Sequence, residues 1–397
     1  MKVVAVTTVS GPYVIARYRC FSEAYAQQQL TLLEYGRTSD DYAWQPSDAD
    51  VPYARVILSE APIQRMPARR RIRLILAALE RLCPDVLVVC GYGGTGMLTA
   101  LYWARTRDRP VPVVMLSDST ATDHARTVWK EWIKSQILRQ CGSALVAGQR
   151  HRQYLQMLGM PEQYMFSGYD VVDNDYFYRE TLMLRQQARP QILPNRPYFL
   201  ASNRFLPKKN LFRLLEAFAR YRKTAGADAW DLVLLGDGDL RKKIEAAVAS
   251  LTLQDAVALP GFKQYFELPL YYAWASCFVH ASTTEQWGLV VNEAMAAGLP
   301  VVVSNRCGCA PDLVIDGDNG YTFDPTDVAA LADRMLAVAS DACDREAMGR
   351  RSREIITNWS PETFAKGLMN AVAAALDAPR PALPLLDRAL LWALVRR

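Results

Sequence analysis

Two glutamates, Glu285 and Glu293, stand eight positions apart in ASTTEQWGLVVNEAMAAGLPVVVSN, residues 281–305. An ionised carboxylate only accepts hydrogen bonds and has room for two hydroxyl donors, so it suits the neighbouring hydroxyls of a sugar. Glu285 falls in a loop after an apolar run ending at His280. Gly288 lets the backbone approach a ligand closely. The helix expected to start there offers the unpaired N–H groups of Leu289 and Val290 to an anion. Glu293, one turn further in, can reach a second ligand group. The bare spacing, taken alone, is better explained by an ordinary helix N-terminus carrying favourable acidic residues.

The flanking residues shift that balance. ASNRFLPKKNL places Arg204 directly after a strand-like run and Lys209 five residues later, with Lys208 beside it. Two cations at a strand's carboxyl end, facing a helix N-terminus, can hold a diphosphate. They also fit ordinary loop charge. Gly236 and Gly238 in LLGDG, and Gly261 in LPGF, put small residues at two more strand ends. There a backbone could lie against a base or ribose, or simply turn. In the first half of the chain, Gly11 follows the first strand-like run. His124, one of three histidines, follows another and sits beside Asp123. A satisfied structural histidine fits His124 as well as a catalytic one does. Arg17 and Arg126 could serve phosphate or acceptor, or neither.

These residues need a frame of strands and helices. Short β-branched runs read as strands at 2–8, 86–90, 111–116 and 143–147, and stretches of helical period at 17–35, 65–82, 97–107 and 129–141. A proline-rich segment, 185–197, interrupts the pattern and reads as an interdomain linker. The pattern then restarts, with strands at 198–202, 231–235, 257–259, 277–280 and 301–304. Helices are expected at 210–222, 240–251, 268–275, 288–297, 328–339 and 361–376. Such alternation implies βαβ units and parallel sheets covered on both faces. The expectation is therefore an α/β protein with two Rossmann-like, doubly wound domains facing a cleft. Its parts are a first domain at 1–190, a second at 191–360, a further helix at 361–378, and an apolar, basic tail at 379–397. Ligands of such sheets bind beyond the carboxyl ends of the strands.

The length of 397 residues suits two domains of roughly 150–200 residues each. A net charge of +5 is too small an excess to demand a polyanionic partner, and no basic stripe interleaved with aromatics supports nucleic acid. The eight cysteines form no C-x-x-C pair, which points to a reduced, cytoplasmic protein. Cys307 and Cys309 flank Gly308 and read more readily as small buried residues than as a redox or metal pair. No apolar run reaches the length of a membrane span. The opening MKVVAVTTVSG reads as a buried strand rather than a signal peptide.

Six blocks occur in order: ASNRFLPKKNL, LVLLGDGDLRKKIE, VALPGF, LYYAWASCFVHAS, EQWGLVVNEAMAAGLPVVVSN and VIDGDNGYTFDP. Together they resemble glycosyltransferase family 4, the large family of retaining enzymes with the GT-B fold, from residue 198 to about 368. The resemblance implies that 1–190 is an acceptor domain and 191–360 a donor domain, with 361–378 a closing helix returning toward the first domain. It implies that Arg204 and Lys209 bind the donor diphosphate and that Glu285 contacts the hydroxyls of the transferred sugar. It implies that Glu293 contacts the donor ribose and that the amides of Gly288, Leu289 and Val290 meet the distal phosphate. The family's usual E-G-F-G becomes Glu285-Gln286-Trp287-Gly288, a departure that bears on sugar identity. In the first half, CGSALVAGQRHRQYLQMLGMPEQYMFSGYDVVDNDYF resembles the family's last N-domain strand and helix. There the paired glycines after the first strand reduce to Ser10-Gly11-Pro12, and the family's histidine would correspond to His124.

Transfer from a nucleotide-sugar donor to a hydroxyl of a glycan, lipid-linked sugar or small molecule is the function so implied. No metal or other cofactor is expected, and uridine is the expected base on family frequency, ahead of GDP and ADP. Asp-x-Asp pairs at Asp48/Asp50, Asp173/Asp175, Asp237/Asp239 and Asp316/Asp318 could suit a metal-dependent transferase, but two βα halves fit that single-domain fold poorly. An epimerase or hydrolase of the same fold, and a non-catalytic partner protein, are the competing readings. The basic helix from Arg65 and the tail from Pro381 could also lie on an anionic membrane.

Overall fold

The structure is a computed structural model, and it describes residues 1–39, 44–45, 50–379 and 383–396. Asp48 of the first Asp-x-Asp pair, and Pro381 and Arg397 of the tail, lie outside the described residues.

The first unit comprises Met1–Val171 together with Ser360–Arg397. Its first elements are β1 (Lys2–Thr7), α1 (Pro12–Ala24), β2 (Gln29–Glu34), β3 (Ala54–Ile57), α2 (Ala68–Leu82) and β4 (Val86–Cys90). They continue with α3 (Thr95–Arg105), β5 (Val113–Ser117), α4 (Val128–Leu138), β6 (Ser143–Val146), α5 (Gln149–Met157) and β7 (Met165–Ser167). The seven strands form one parallel sheet in the order β3-β2-β1-β4-β5-β6-β7. Residues such as Val4, Leu33, Val89 and Met115 are shielded from water and pack under Ile75, Leu79, Leu101 and Trp103 of the helices.

The second unit is Val172–Trp359. It runs α6 (Asn174–Arg185), β8 (Tyr198–Ser202), α7 (Leu211–Ala225), β9 (Asp231–Leu235), α8 (Arg241–Ser250) and β10 (Val257–Gly261). Then come α9 (Leu268–Trp274), β11 (Cys277–His280), α10 (Leu289–Ala296), β12 (Val301–Ser304), α11 (Ala310–Leu313), β13 (Gly320–Phe323), α12 (Val328–Ala339) and α13 (Arg345–Ile356). Its six parallel strands follow the order β10-β9-β8-β11-β12-β13. The chain returns to the first unit in α14 (Pro361–Asp377) and α15 (Leu385–Arg396). There α14 comes so close to the sheet that a Cβ on Gly367 would stand 2.4 Å from the Ser167 carbonyl oxygen.

Two expectations change. The helix read over 17–35 is a helix only to Ala24, and Gln29–Glu34 is a strand paired in parallel with β1. Tyr25 leaves helical geometry, and Leu30, Leu32 and Leu33 are buried in the sheet. The unit boundary falls after Val171 rather than at 190. Helix α6 packs on α9 and α10, so it and the proline-rich segment after it belong to the second unit.

Each sheet reverses its strand order once, between β1 and β4 in the first unit and between β8 and β11 in the second. Loops leaving adjacent strands in opposite directions open a crevice at such a point, which is where ligands of doubly wound sheets bind.

Candidate functional site

In the second unit, the loops leaving β8 and β11 carry Arg204, Lys208 and Lys209 on one side and Glu285 on the other. Their proximity is built from backbone and side-chain bonds. Thr283 N–H donates to the Lys208 carbonyl at 2.8 Å. Asn210, in left-handed geometry at φ +59°, donates its side-chain amide to the carbonyls of Ala281 (3.1 Å) and Pro325 (2.7 Å). Behind Glu285, the loop after β12 braces the chain: Gly308 N–H donates to the Glu285 carbonyl at 3.0 Å, and Cys309 N–H to that of Trp287 at 3.2 Å. Cys307 and Cys309 are buried within this brace, and burial pushes the Cys309 thiol up.

The Glu285 carboxylate is surrounded by donors. Lys209 bonds Oε2, Lys208 lies 3.4 Å from Oε1, and Ser282 Oγ and His280 Nε2 lie 3.3 and 3.5 Å from Oε2. Burial alone would push its pKa up, but His280 and the two ammonium groups outweigh burial and hold it well below the usual carboxylate range. Glu285 is therefore an anion at any ordinary pH, an acceptor prepared for hydroxyl groups.

Helix α10 begins immediately after Gly288, whose φ of +113° is open to glycine and strained for other residues. Leu289 and Val290 occupy its first turn and are partly accessible, so their N–H groups head the helix at the crevice. Glu293 is fully buried on the same helix, where its Oε2 accepts the Tyr272 hydroxyl at 2.6 Å. Arg204 is exposed just past β8. Gly261 ends β10, and a Cβ there would meet nothing within 4 Å. Gly236 answers to a different need, because a Cβ there would stand 1.7 Å from the Asn203 carbonyl oxygen. Its smallness serves the packing of two strand-end loops.

The first unit holds the other two expected residues. Gly11 precedes α1 at the sheet's reversal point. His124 is exposed in a turn well past the end of β5, beside the buried Asp123 that pairs with Arg126. Arg17 is buried and bonded to the Val171 carbonyl (3.1 Å) and Asp170 (3.2 Å), so it is structural rather than a loose surface arginine. The Asp-x-Asp residues serve local structure as well: Asp173 caps α6, Asp237 accepts from Gly238, Asp316 from Thr322, and Asp318 pairs with Arg351.

His280 and Asn210 are the residues that sequence reasoning passed over. His280 was visible as one of three histidines, directly at a strand end before Glu285. Asn210→Ala removes two buried hydrogen bonds and the side chain that tolerates left-handed geometry. It should cost about 2–3 kcal/mol in a urea melt. Asn210→Gly, which relieves the backbone, should cost less. Equal midpoints for both variants and the wild type would show that the staple contributes nothing.

Two Rossmann-like parallel-sheet units and a basic–acidic crevice at the reversal point of the second define the GT-B fold class. Solved structures agree in fold. Anabaena HepE in complex with UDP and glucose aligns with a TM-score of 0.71 at 17% identity, covering 94% of this chain and 99% of that one. Sucrose-phosphate synthase from Thermosynechococcus elongatus aligns with a TM-score of 0.74 at 18% identity, covering 93% and 97%. Residues 184–355 match the family model described as glycosyl transferases group 1. Among curated proteins, a probable sucrose-phosphate synthase 5 of rice is 29% identical over 202 residues, which is 47% of this chain and 20% of that protein. A GDP-mannose-dependent mannosyltransferase of Mycolicibacterium smegmatis that acts on phosphatidylinositol monomannoside is 27% identical over 215 residues, 52% of this chain and 56% of that protein. The matches thus span about half or less of these relatives, and about half of this chain.

Proposed function

We propose that this protein is a retaining, metal-independent glycosyltransferase that moves a sugar from a nucleotide sugar, with UDP as the carrier, to a hydroxyl acceptor. The observation that carries the reading is the Lys208–Lys209–Glu285 cluster facing the start of α10 at the strand-order reversal. Breaking the bond between sugar and diphosphate develops negative charge on the leaving oxygen. Arg204, Lys209 and the amides at the head of α10 would stabilise that charge as it forms. Glu285 would hold hydroxyls of the transferred sugar, and Glu293 would contact the ribose. Support for uridine comes from the UDP bound to HepE; the mannosyltransferase relative argues for testing GDP-mannose beside it. His124 is proposed as a catalytic residue and Gly11 as a donor-binding one.

Thermal shift with a panel of nucleotide sugars in EDTA tests this reading, on wild type and Glu293→Gln. Glutamine is chosen because alanine would also remove the near acceptor of the buried Tyr272 hydroxyl. A donor should raise the wild-type melting temperature without metal and do less for the variant. No shift with any donor, or a shift only on adding magnesium or manganese, would sink the assignment.

We also propose a peripheral contact with anionic lipid through α15, in keeping with a lipid-linked acceptor. Among the described residues no helix is long and apolar enough to cross a membrane. Helix α15 buries Leu391 and Val395 in the first unit's core while Leu385 (83%) and Leu386 (84%) remain exposed beside Arg388. Deleting the tail would therefore disturb the core, so exposed residues are the better target. The double substitution Leu385→Ser, Leu386→Ser should keep the melting temperature and lose pelleting with phosphatidylglycerol vesicles. Undiminished pelleting removes the tail's role.

A further inference from the structure

His280 ends β11 with its imidazole fully buried. Nε2 lies 3.3 Å from Ser282 Oγ and 3.5 Å from Glu285 Oε2, whereas the buried Nδ1 has no hydrogen-bond partner among the described residues. A neutral imidazole carries one N–H and one bare lone pair. Buried N–H groups left without an acceptor are rarer than unfilled lone pairs, so the proton belongs on Nε2. Burial opposes a second proton, and Lys209 and Lys208 add to that opposition against the pull of Glu285, so the ring is held neutral. Ser282 Oγ also lies 3.3 Å from Glu285 Oε2, so its hydroxyl can accept from the imidazole and donate to the carboxylate. The result is a one-way chain of donors ending on Oε2, which Lys209 also bonds. On Oε1, Lys208 at 3.4 Å is the one contact recorded among the described residues.

We infer that His280 is a positioning residue: its Nε2–H, acting through Ser282, helps to saturate Oε2 of Glu285 and leaves Oε1 turned toward the hydroxyls of the donor sugar. This rests on the glycosyltransferase reading above. Recognition of the sugar should then depend on His280, and recognition of the nucleoside diphosphate should not.

Three measurements on the full chain test it. In ligand-free protein labelled with 15N-histidine, the signal that His280→Gln deletes should be that of a neutral Nε2–H tautomer from pH 5 to 8, distinct from the signal of His151, which also accepts at Nδ1. A donor identified by the nucleotide-sugar panel should show kcat/KM reduced roughly 10–100-fold in His280→Phe, the range a lost positioning contact reaches. UDP affinity should stay within about twofold of wild type. His280→Gln, which restores a donor near the Nε2 position, should recover much of the loss. An Nδ1–H tautomer, a charged ring at neutral pH, or a His280→Phe enzyme as active as wild type overturns the inference. So does a parallel loss of UDP and UDP-sugar affinity, which would mark a purely structural residue. If the wild type binds no nucleotide sugar, the glycosyltransferase reading falls and takes the sugar-positioning role with it. If the wild type turns over and His280→Phe matches it, only the role of His280 falls.

Discussion

Glu285→Gln should bind UDP more tightly than the wild type while transferring sugar about a thousandfold more slowly. The two effects have separate causes in one side chain. The carboxylate occupies Lys209, a cation proposed for the diphosphate, together with its neighbour Lys208. A diphosphate must share those lysines with a neighbouring anion or draw them away from it. Glutamine removes the competing charge and keeps an oxygen that Ser282 can still bond. A gain of roughly tenfold in UDP affinity, about 1.4 kcal/mol, is the expected size. The loss in transfer comes from replacing an acceptor that takes two hydroxyls with an amide that takes fewer. Calorimetry with UDP and turnover with the full donor read the two effects independently. UDP affinity that falls along with turnover would mean the lysines do not face the diphosphate, and the cluster would lose its assigned role.

Much of the second unit is legible in its sequence because its strands are buried on both faces. Strands β8, β9, β11 and β12 are short apolar runs bounded by turn residues, and all match their expected positions. That legibility extends to the candidate site, since Lys209, Glu285 and Gly288 follow directly from strand ends. Strand β2 was misread because QLTLLE has a single β-branched residue and no glycine or proline before it. Its conformation is set by pairing with β1, a tertiary cause that local periodicity does not carry. Strand β13, GYTF, lacks the apolar run that marks the equally short β11 and β12. Helix α13, REAMGRRSREII, is too polar and basic to stand out as an element.

The histidines show the same limit at the scale of one side chain. Sequence position favoured His124, because it follows a strand in a loop, and the structure places it on an exposed turn. His151 is buried and accepts from Gly148 N–H through Nδ1, at the start of α5. His280 reads as the last residue of an apolar strand, so its sequence context suggests core. What distinguishes it is the turn of the following loop, which brings Ser282 and Glu285 back over the ring. Asn210 is similar: its sequence neighbourhood is charged loop, yet its amide ties together the two loops that carry the cluster.

Lys209→Ala should have the second-largest effect, and its pH dependence distinguishes it from a simple loss of affinity. Lys209 is 13% exposed and bonds Oε2, whereas Lys208 is 41% exposed and lies farther from the carboxylate. Solvent screening weakens the outer pair more. Lys209→Ala should therefore reduce transfer by roughly 10²–10³-fold, the range for removing one group that stabilises transition-state charge, and Lys208→Ala should do clearly less. The folded-state pKa of Glu285 is depressed, so its ionised form stabilises the fold above the ordinary carboxylate range. That contribution is lost as pH falls through the depressed value. Removing Lys209 takes away one of the causes of depression and leaves burial less opposed. The acid limb of both stability and activity should then move up toward the ordinary carboxylate range, while the neutral region keeps its shape. Melting temperatures from pH 3 to 8, with turnover over the range that stays folded, read this directly. Superimposable acid limbs for the variant and the wild type would show that Lys209 does not set the charge on Glu285. The ion pair would then be an incidental contact, and the case for Lys209 at the diphosphate would rest on position alone.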